Sequence, residues 1–262
     1  MYKFMFINEK KLSFALEQFS QEGPFDHWII DDFFELEFAK QLEQDFPDYN
    51  SSLWQNYNNA IEIKKLNNIW NFFPKTTYQV LSYLNSDKFV SILEENIYKK
   101  NKLYSDMGIN GGGWHIHKSG GKLNTHLDYS IHPKLGLQRK FNLIIYLNSN
   151  WIEDWGGSLG FWGNKSSKKP GKLVKSINPK FNRAIIFDTT QNSWHGLPSP
   201  IDCPKNEYRK SLAVYYLCDP PKKISNRGKA LFAPTDEQKN NKEVLELIKK
   251  RASVKSAHTV YF

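Results

Sequence analysis

From Leu103 to Leu217 the chain breaks into short apolar runs separated by turn residues, and this rhythm restricts the fold more than any other feature. The runs include FNLIIYLN at 141–148, the segment that follows Trp155-Gly156-Gly157, PKFNRAIIFD at 179–188 and YRKSLAVYYL at 208–217. Runs of this length, bounded by Gly, Pro, Asn and Asp, read as strands. Strands at turn-marked intervals argue for an antiparallel double sheet. Gly111–Gly113 would let one strand approach another backbone closely or start with a bulge. The expected fold is mainly β with helical support (α+β), on a double-stranded β-helix, or jelly-roll, core.

One stretch in this region carries metal chemistry. GGGWHIHKSGGKLNTHLD at 111–128 ends in His126-Leu127-Asp128. Residues two apart on a strand share a face, so His126 and Asp128 can reach one ion while Leu127 turns into packing. His195, in Ser193-Trp194-His195-Gly196, is the best third ligand. Two imidazoles and one carboxylate on one face of a metal, with the other positions open, is the ligand set of non-haem Fe(II) oxygenases.

The order of motifs then becomes specific. H-x-D, a Y-L-N strand, W-x-G-G-x-L, a P-x-F-N-R strand, H-G and R-K-S follow one another across roughly 106–218. In this order they resemble the Fe(II)- and 2-oxoglutarate-dependent dioxygenases, and within them the prolyl 4-hydroxylase-like branch. The resemblance implies His126, Asp128 and His195 as iron ligands, 2-oxoglutarate as co-substrate, dioxygen as oxidant and ascorbate as a possible reductant. It implies that Arg209, fourteen residues after His195, holds the far carboxylate of 2-oxoglutarate. A guanidinium at the head of so apolar a strand needs a planar anionic partner. Tyr146 matches a family tyrosine that bonds the same carboxylate, and Ser211 shares a strand face with Arg209. Asp128 argues against a halogenase, in which a small residue stands at that position. The implied reaction consumes 2-oxoglutarate and dioxygen and hydroxylates an unactivated C–H bond, with a prolyl residue or free proline as the first substrate by analogy. Two alternatives stay open: a tailoring hydroxylase of a sugar, lipid or other small metabolite, and a non-catalytic metal-binding jelly-roll module.

The whole chain, of 262 residues, sets outer bounds. Its 40% hydrophobic and 15% aromatic content supplies a sizeable core. No apolar stretch has the length of a membrane span, and MYKFMFINEKK lacks the pattern of a signal peptide. Cys203 and Cys218 form no disulfide framework, which points to a reducing, cytoplasmic compartment. The net charge of +9 raises an anionic partner. The basic residues are scattered, however, and no nucleic-acid motif accompanies them. A protein, peptide or small-molecule substrate is expected instead, with the oligomeric state open.

Three segments are expected: a strand-and-helix support over 1–105, the catalytic core over 106–220, and a basic C-terminal extension with one helix over 221–262. Within the support, Met1–Asn8 and Phe25–Ile30 read as strands, and Asp32 with Glu35 as a capping-box-like helix start. Ser51–Phe73 reads as irregular and aromatic, packing on the core or lining a groove. Thr76–Leu84 and Asp87–Tyr98 read as helices on the back of the sheet. In the extension, Thr235 or Asp236 is the expected cap of a helix ending near Ala252, and Ser256–Phe262 a strand or tail. His115 and His117 share a strand face upstream of the triad, and His132 falls on a loop after Asp128. Arg139 stands at the entry to an apolar strand, between a substrate-facing and a surface role.

Overall fold

The computed structural model describes residues 6–18, 23–99, 101–163, 166 and 168–260. Two antiparallel sheets face each other, with helices on the outer side of the larger one. The first half runs α1 (Glu9–Glu17), β1 (His27–Ile30), α2 (Leu36–Gln44), β2 (Gln55–Asn58), β3 (Glu62–Asn67), α3 (Lys75–Leu84), α4 (Asp87–Ile97) and β4 (Leu103–Ser105). Then come β5 (Gly113–His117), β6 (Lys122–Leu123), β7 (His126–Leu127), β8 (Gln138–Tyr146), β9 (Leu159–Trp162) and β10 (Leu173–Ile177). The chain closes with β11 (Ala184–Asp188), β12 (His195–Gly196), β13 (Arg209–Cys218), β14 (Leu231–Phe232) and α5 (Lys242–Ala252).

The major sheet has nine strands among the described residues, in the order β1-β11-β8-β13-β5-β3-β2, with β4 added to β13 and β6 to β3. The minor sheet runs β10-β9-β12-β7-β14. This is the expected jelly-roll core with helical support. Strand β13 is buried along nearly its whole length, as its apolar run requires of a central strand. The outer face of the major sheet meets α1 to α4 in the main core. Phe46, Trp54 and Phe73 surround Trp114 there, at ring-centroid distances of 5.4, 6.1 and 4.9 Å. Gly113 lets β3 pass: its φ is +82°, and a Cβ would lie 2.2 Å from the Asn67 carbonyl oxygen.

Several boundary expectations are corrected. Residues 51–73 are not irregular; β2 and β3 form a hairpin that extends the major sheet past β5. Glu35, not Asp32, precedes α2, and no side chain caps that helix. Asp32 instead adopts φ 52° and reaches Lys11 at 3.8 Å. The cap of α5 is Asn241, whose side chain accepts from the Glu243 and Val244 amides. Residues 6–8 form no strand, and 1–5 lie outside the described residues. Ala257–Val260 is a short 3-10 turn rather than a strand, and 261–262 are not among the described residues.

The C-terminal extension joins the core. Phe232 of β14 pairs with His126 of β7. Helix α5 buries Val244 and Ile248 against Ile61 and Phe232. No helix among the described residues is long and apolar enough to cross a membrane.

Candidate active site

His126 and His195 are register partners on adjacent strands of the minor sheet, and Asp128 follows two residues after His126. Pairing therefore brings together side chains 69 positions apart in sequence. One ligand atom from each of His126, Asp128 and His195 lies within 4.8 Å of the others. Nε2 of His126 stands 3.8 Å from Asp128 Oδ1, and Nε2 of His195 stands 3.8 Å from Oδ2. The tautomers are set from behind. Nδ1 of His126 donates to the Asn124 carbonyl at 3.0 Å, and Nδ1 of His195 to the Ser193 carbonyl at 2.8 Å. Each ring thus turns a lone pair on Nε2 toward the carboxylate, as a metal ligand must.

Electrostatics favour the ligating protonation states. Burial lowers the pKa of His126 to about 3, helped by His195, and also lowers that of His195. Both rings are therefore neutral at physiological pH. Burial opposes ionisation of Asp128, but Arg139 and the two imidazoles outweigh it and hold its carboxyl well below the usual range. Arg139 Nη1 lies 3.3 Å from Asp128 Oδ2, and the Asn142 amide donates to the same oxygen at 3.3 Å. The backbone carbonyl of Asp128 accepts from Arg227 at 2.7 Å. A divalent cation with open positions fits this donor set: two neutral imidazoles and an oriented carboxylate.

The same cavity, of about 290 Å³, contains His126, Asp128, His195, Arg209, Ser211, His115 and His117 in its walls. Arg209 opens β13 in the major sheet and is buried without a carboxylate partner among the described residues. Its Nε donates to the Gly157 carbonyl at 2.6 Å and its Nη2 to the Tyr146 hydroxyl at 3.2 Å. Gly157 makes room for that approach: its φ is +77°, and a Cβ would stand 2.9 Å from Arg209 Cδ. The W-x-G-G turn therefore seats the guanidinium. Ser211 pairs across strands with Tyr146, so these two and Arg209 cluster on the inner face. Lys210 points away, toward Phe46.

The other histidines separate. His115 bonds the Gly111 carbonyl through Nε2 at 3.1 Å. His117 is buried in the cavity wall, and neither of its ring nitrogens has a hydrogen-bond partner among the described residues. His132 is buried outside the cavity lining, with Nε2 3.6 Å from Asp106 and Nδ1 accepting from the Lys134 and Leu135 amides. Trp194 turns away from the triad and packs on Leu127 and Ala233.

Arg139 is buried and lines the cavity rather than the surface. Its guanidinium lies between the rings of Tyr129 and Tyr215, at 3.5 and 3.4 Å from their centroids. Sequence reasoning offered 51–73 as a possible groove lining but gave no site role to the extension. Gln55, Tyr57 and Lys64 line the cavity, as do Lys229, Phe232 and Arg251. Phe232 stacks on His126 with ring centroids 4.9 Å apart. A two-residue strand such as Leu231-Phe232 carries no periodicity by which it could be found.

Residues 112–217 match the family model of the 2OG-Fe(II) oxygenase superfamily. A 57-residue stretch is 37% identical to the prolyl 3-hydroxylase OGFOD1 of Xenopus laevis, covering 22% of this chain and 11% of that protein. The aligned stretch is thus about a tenth of the length of that curated relative. A prolyl-4-hydroxylase of Pseudomonas putida shares the fold, with a TM-score of 0.56, 13% identity, and coverage of 80% of this chain and 100% of its own. A prolyl hydroxylase of Trichoplax adhaerens, solved with a hypoxia inducible factor peptide fragment, shares it at TM-score 0.55 and 21% identity, over 80% of this chain and 90% of its own. The matched segment contains the triad and the residues around Arg209, so this part of the chain is similar to the 2OG-Fe(II) oxygenase superfamily.

Proposed function

We propose that this protein is a 2-oxoglutarate-dependent dioxygenase that hydroxylates a prolyl residue of a peptide, with Fe(II) held by His126, Asp128 and His195 and 2-oxoglutarate held by Arg209, Tyr146 and Ser211. One observation carries the co-substrate assignment. Arg209 is a buried cation with no acid against it among the described residues, in the same cavity as three converging metal-ligand side chains. A buried guanidinium without a counter-ion is costly unless an anion arrives to bond it. Fe(II) held by these three residues would supply the redox chemistry that couples dioxygen to the decarboxylation of 2-oxoglutarate.

The chain's own residues then have separable tasks. Asn124 and Ser193 carbonyls hold the imidazole tautomers. Arg139 and Asn142 hold the carboxylate of Asp128 in its ionised form. Arg209, through two donors kept in place by Gly157 and Tyr146, orients the co-substrate by its far end. Apolar Ile144, Leu159 and Leu197 line the cavity and limit the water within it.

The β2–β3 hairpin favours a peptide over a small metabolite. It extends the major sheet and lines the cavity with Gln55 and Tyr57 at an edge where an extended chain could lie. The similarity to a prolyl 3-hydroxylase supports the prolyl assignment. Ascorbate as a reductant that restores Fe(II) belongs to the same reading. So does the division into support (1–105), catalytic core (106–220) and extension (221–262), with the extension as a wall of the site. The test is mass spectrometry of a prolyl peptide library incubated with Fe(II), 2-oxoglutarate and oxygen. Addition of one oxygen atom at proline, matched by an equal yield of succinate, is expected. Succinate formation stimulated only by non-prolyl metabolites would overturn the proposal.

A further inference from the structure

We propose that the cavity selects a substrate bearing a carboxylate beside the target C–H bond, seated between Lys64, Lys229 and Arg251. This rests on the dioxygenase reading above and adds the charge of the substrate.

The cavity carries two separate basic groups. Arg209 lies on β13, on one side of β5; Lys64 lies on β3, on the other. Two strand spacings, roughly 10 Å, separate them. A carboxylate held by Arg209 therefore does not reach Lys64. Around Lys64 the C-terminal extension adds Lys229 and Arg251, both lining the cavity. The Arg251 guanidinium lies 5.5 Å from the centre of the Phe232 ring, which stacks on His126. This basic group is thus one ring away from the metal ligands. The charge of Lys64 is felt at His115, His126 and His195.

Glu62 is the acid set among these cations, 3.3 Å from Lys64 and 3.0 Å from Arg251. It is fully buried, so it cannot follow a ligand into the cavity. Lys229 has no such partner among the described residues. Burial disfavours its charge, and the one charged neighbour acting on it is Arg251, which disfavours it further. A half-buried ammonium beside another cation is a standing electrostatic cost that an incoming anion removes. The residue at the mouth that gains most from an anion is therefore Lys229. Tyr57, Gln55 and Asn68 complete this wall with polar groups and contribute no negative charge.

The carboxylate can come from two sources: an acidic side chain next to the prolyl residue of a peptide, or the α-carboxylate of a free amino acid. The experiment distinguishes them. The full chain is loaded with Zn(II) and a non-decarboxylating analogue of 2-oxoglutarate, and binding is measured by calorimetry without turnover. The probes are a short peptide with one proline between glutamates, its glutamine and lysine counterparts, L-proline, and L-prolinamide. Either the glutamate peptide should bind about tenfold tighter than the glutamine peptide, roughly 1.4 kcal/mol, or L-proline should exceed prolinamide by as much. Lys229→Glu should invert the order, favouring the lysine peptide or prolinamide; Lys229→Ala should abolish the preference. Equal binding of acidic and neutral probes, or binding of none, overturns the inference. Turnover is scored separately: a neutral prolyl peptide hydroxylated as well as the acidic one leaves the proposed function standing. A charge preference in binding with no hydroxylation of any prolyl probe removes the prolyl reading instead.

Discussion

Arg139 touches the Asp128 carboxylate at 3.3 Å because a bulge in β8 turns it there. By simple alternation Arg139 would share a face with Phe141, Leu143 and Ile145, which belong to the main core. The pairing of β8 with β13 slips between Phe141 and Arg139, so that Tyr216 meets the first and Leu217 the second. Lys140 is the extra residue, and Arg139 swings onto the cavity face beside Asn142. Bulges re-aim side chains in this way next to active sites.

Arg139 is therefore a positioning residue for the metal. Arg139→Met should weaken Fe(II) or Zn(II) binding by about 10- to 100-fold, the usual cost of losing a partner of a ligand. Competition with a chromogenic chelator measures it. An unchanged metal affinity would show that Asn142 alone orients Asp128.

Gly157→Ala tests the seat of Arg209. The new Cβ would meet Arg209 Cδ at 2.9 Å on a backbone with φ of +77°. The left-handed conformation alone costs about 1–2 kcal/mol, and the guanidinium must also shift. The variant should melt lower and require more 2-oxoglutarate, while metal affinity stays near wild type. Isothermal titration with the co-substrate reads the difference.

The extension should be inseparable from the site. Phe232 stacks on His126 and packs with Val244 and Ile248 of α5. Phe232→Ala should destabilise the protein by about 3–5 kcal/mol, as large-to-small core changes do, and weaken metal binding in parallel. Chemical denaturation with and without Zn(II) measures both. Wild-type values for both would make 221–262 an appendage.

Acid should destabilise the metal-free protein in a predictable window. His126 has its pKa lowered from 6.5 to about 3 in the fold. Between these values the unfolded chain binds a proton that the folded chain does not, so stability falls as pH drops below 6.5 and is flat above it. At pH 5 this one group costs roughly 2 kcal/mol, at about 1.36 kcal/mol per pH unit. His195 acts in the same direction. Asp128, with its pKa depressed, adds a further loss once pH falls below the carboxylate range. Denaturation midpoints measured between neutral pH and pH 5 should decline for wild type and decline less for His126→Leu.

What was legible in the sequence follows from the range of the physics involved. His126-Leu127-Asp128 and the apolar runs of β8, β11 and β13 announce themselves locally, because strand alternation and burial act over neighbouring residues. His126 and Asp128 could be paired for that reason; the roles of Arg209 and Tyr146 come only from the family resemblance. The β2–β3 hairpin has no such local signal: QNYN and EIKKLN are polar strands with little alternation, at the edge of the major sheet. Alternation alone would turn Arg139 into the main core; one extra residue in β8 turns it onto the cavity instead. Phe232, Lys229 and Arg251 enter the cavity through a pairing with β7 that spans more than a hundred residues of chain, and nothing local marks it.

The central claim is that Fe(II) on the triad and 2-oxoglutarate on Arg209 share one cavity. The direct measurement is anaerobic: Fe(II) and then 2-oxoglutarate are added to metal-free protein while the visible spectrum is recorded. The account predicts the metal-to-ligand charge-transfer band of a chelated keto acid. It also predicts that Arg209→Ala needs far more 2-oxoglutarate to develop the band, and that His126→Ala never does. Bound iron with no band on addition of 2-oxoglutarate would contradict the account and leave a metal-binding jelly roll without this chemistry.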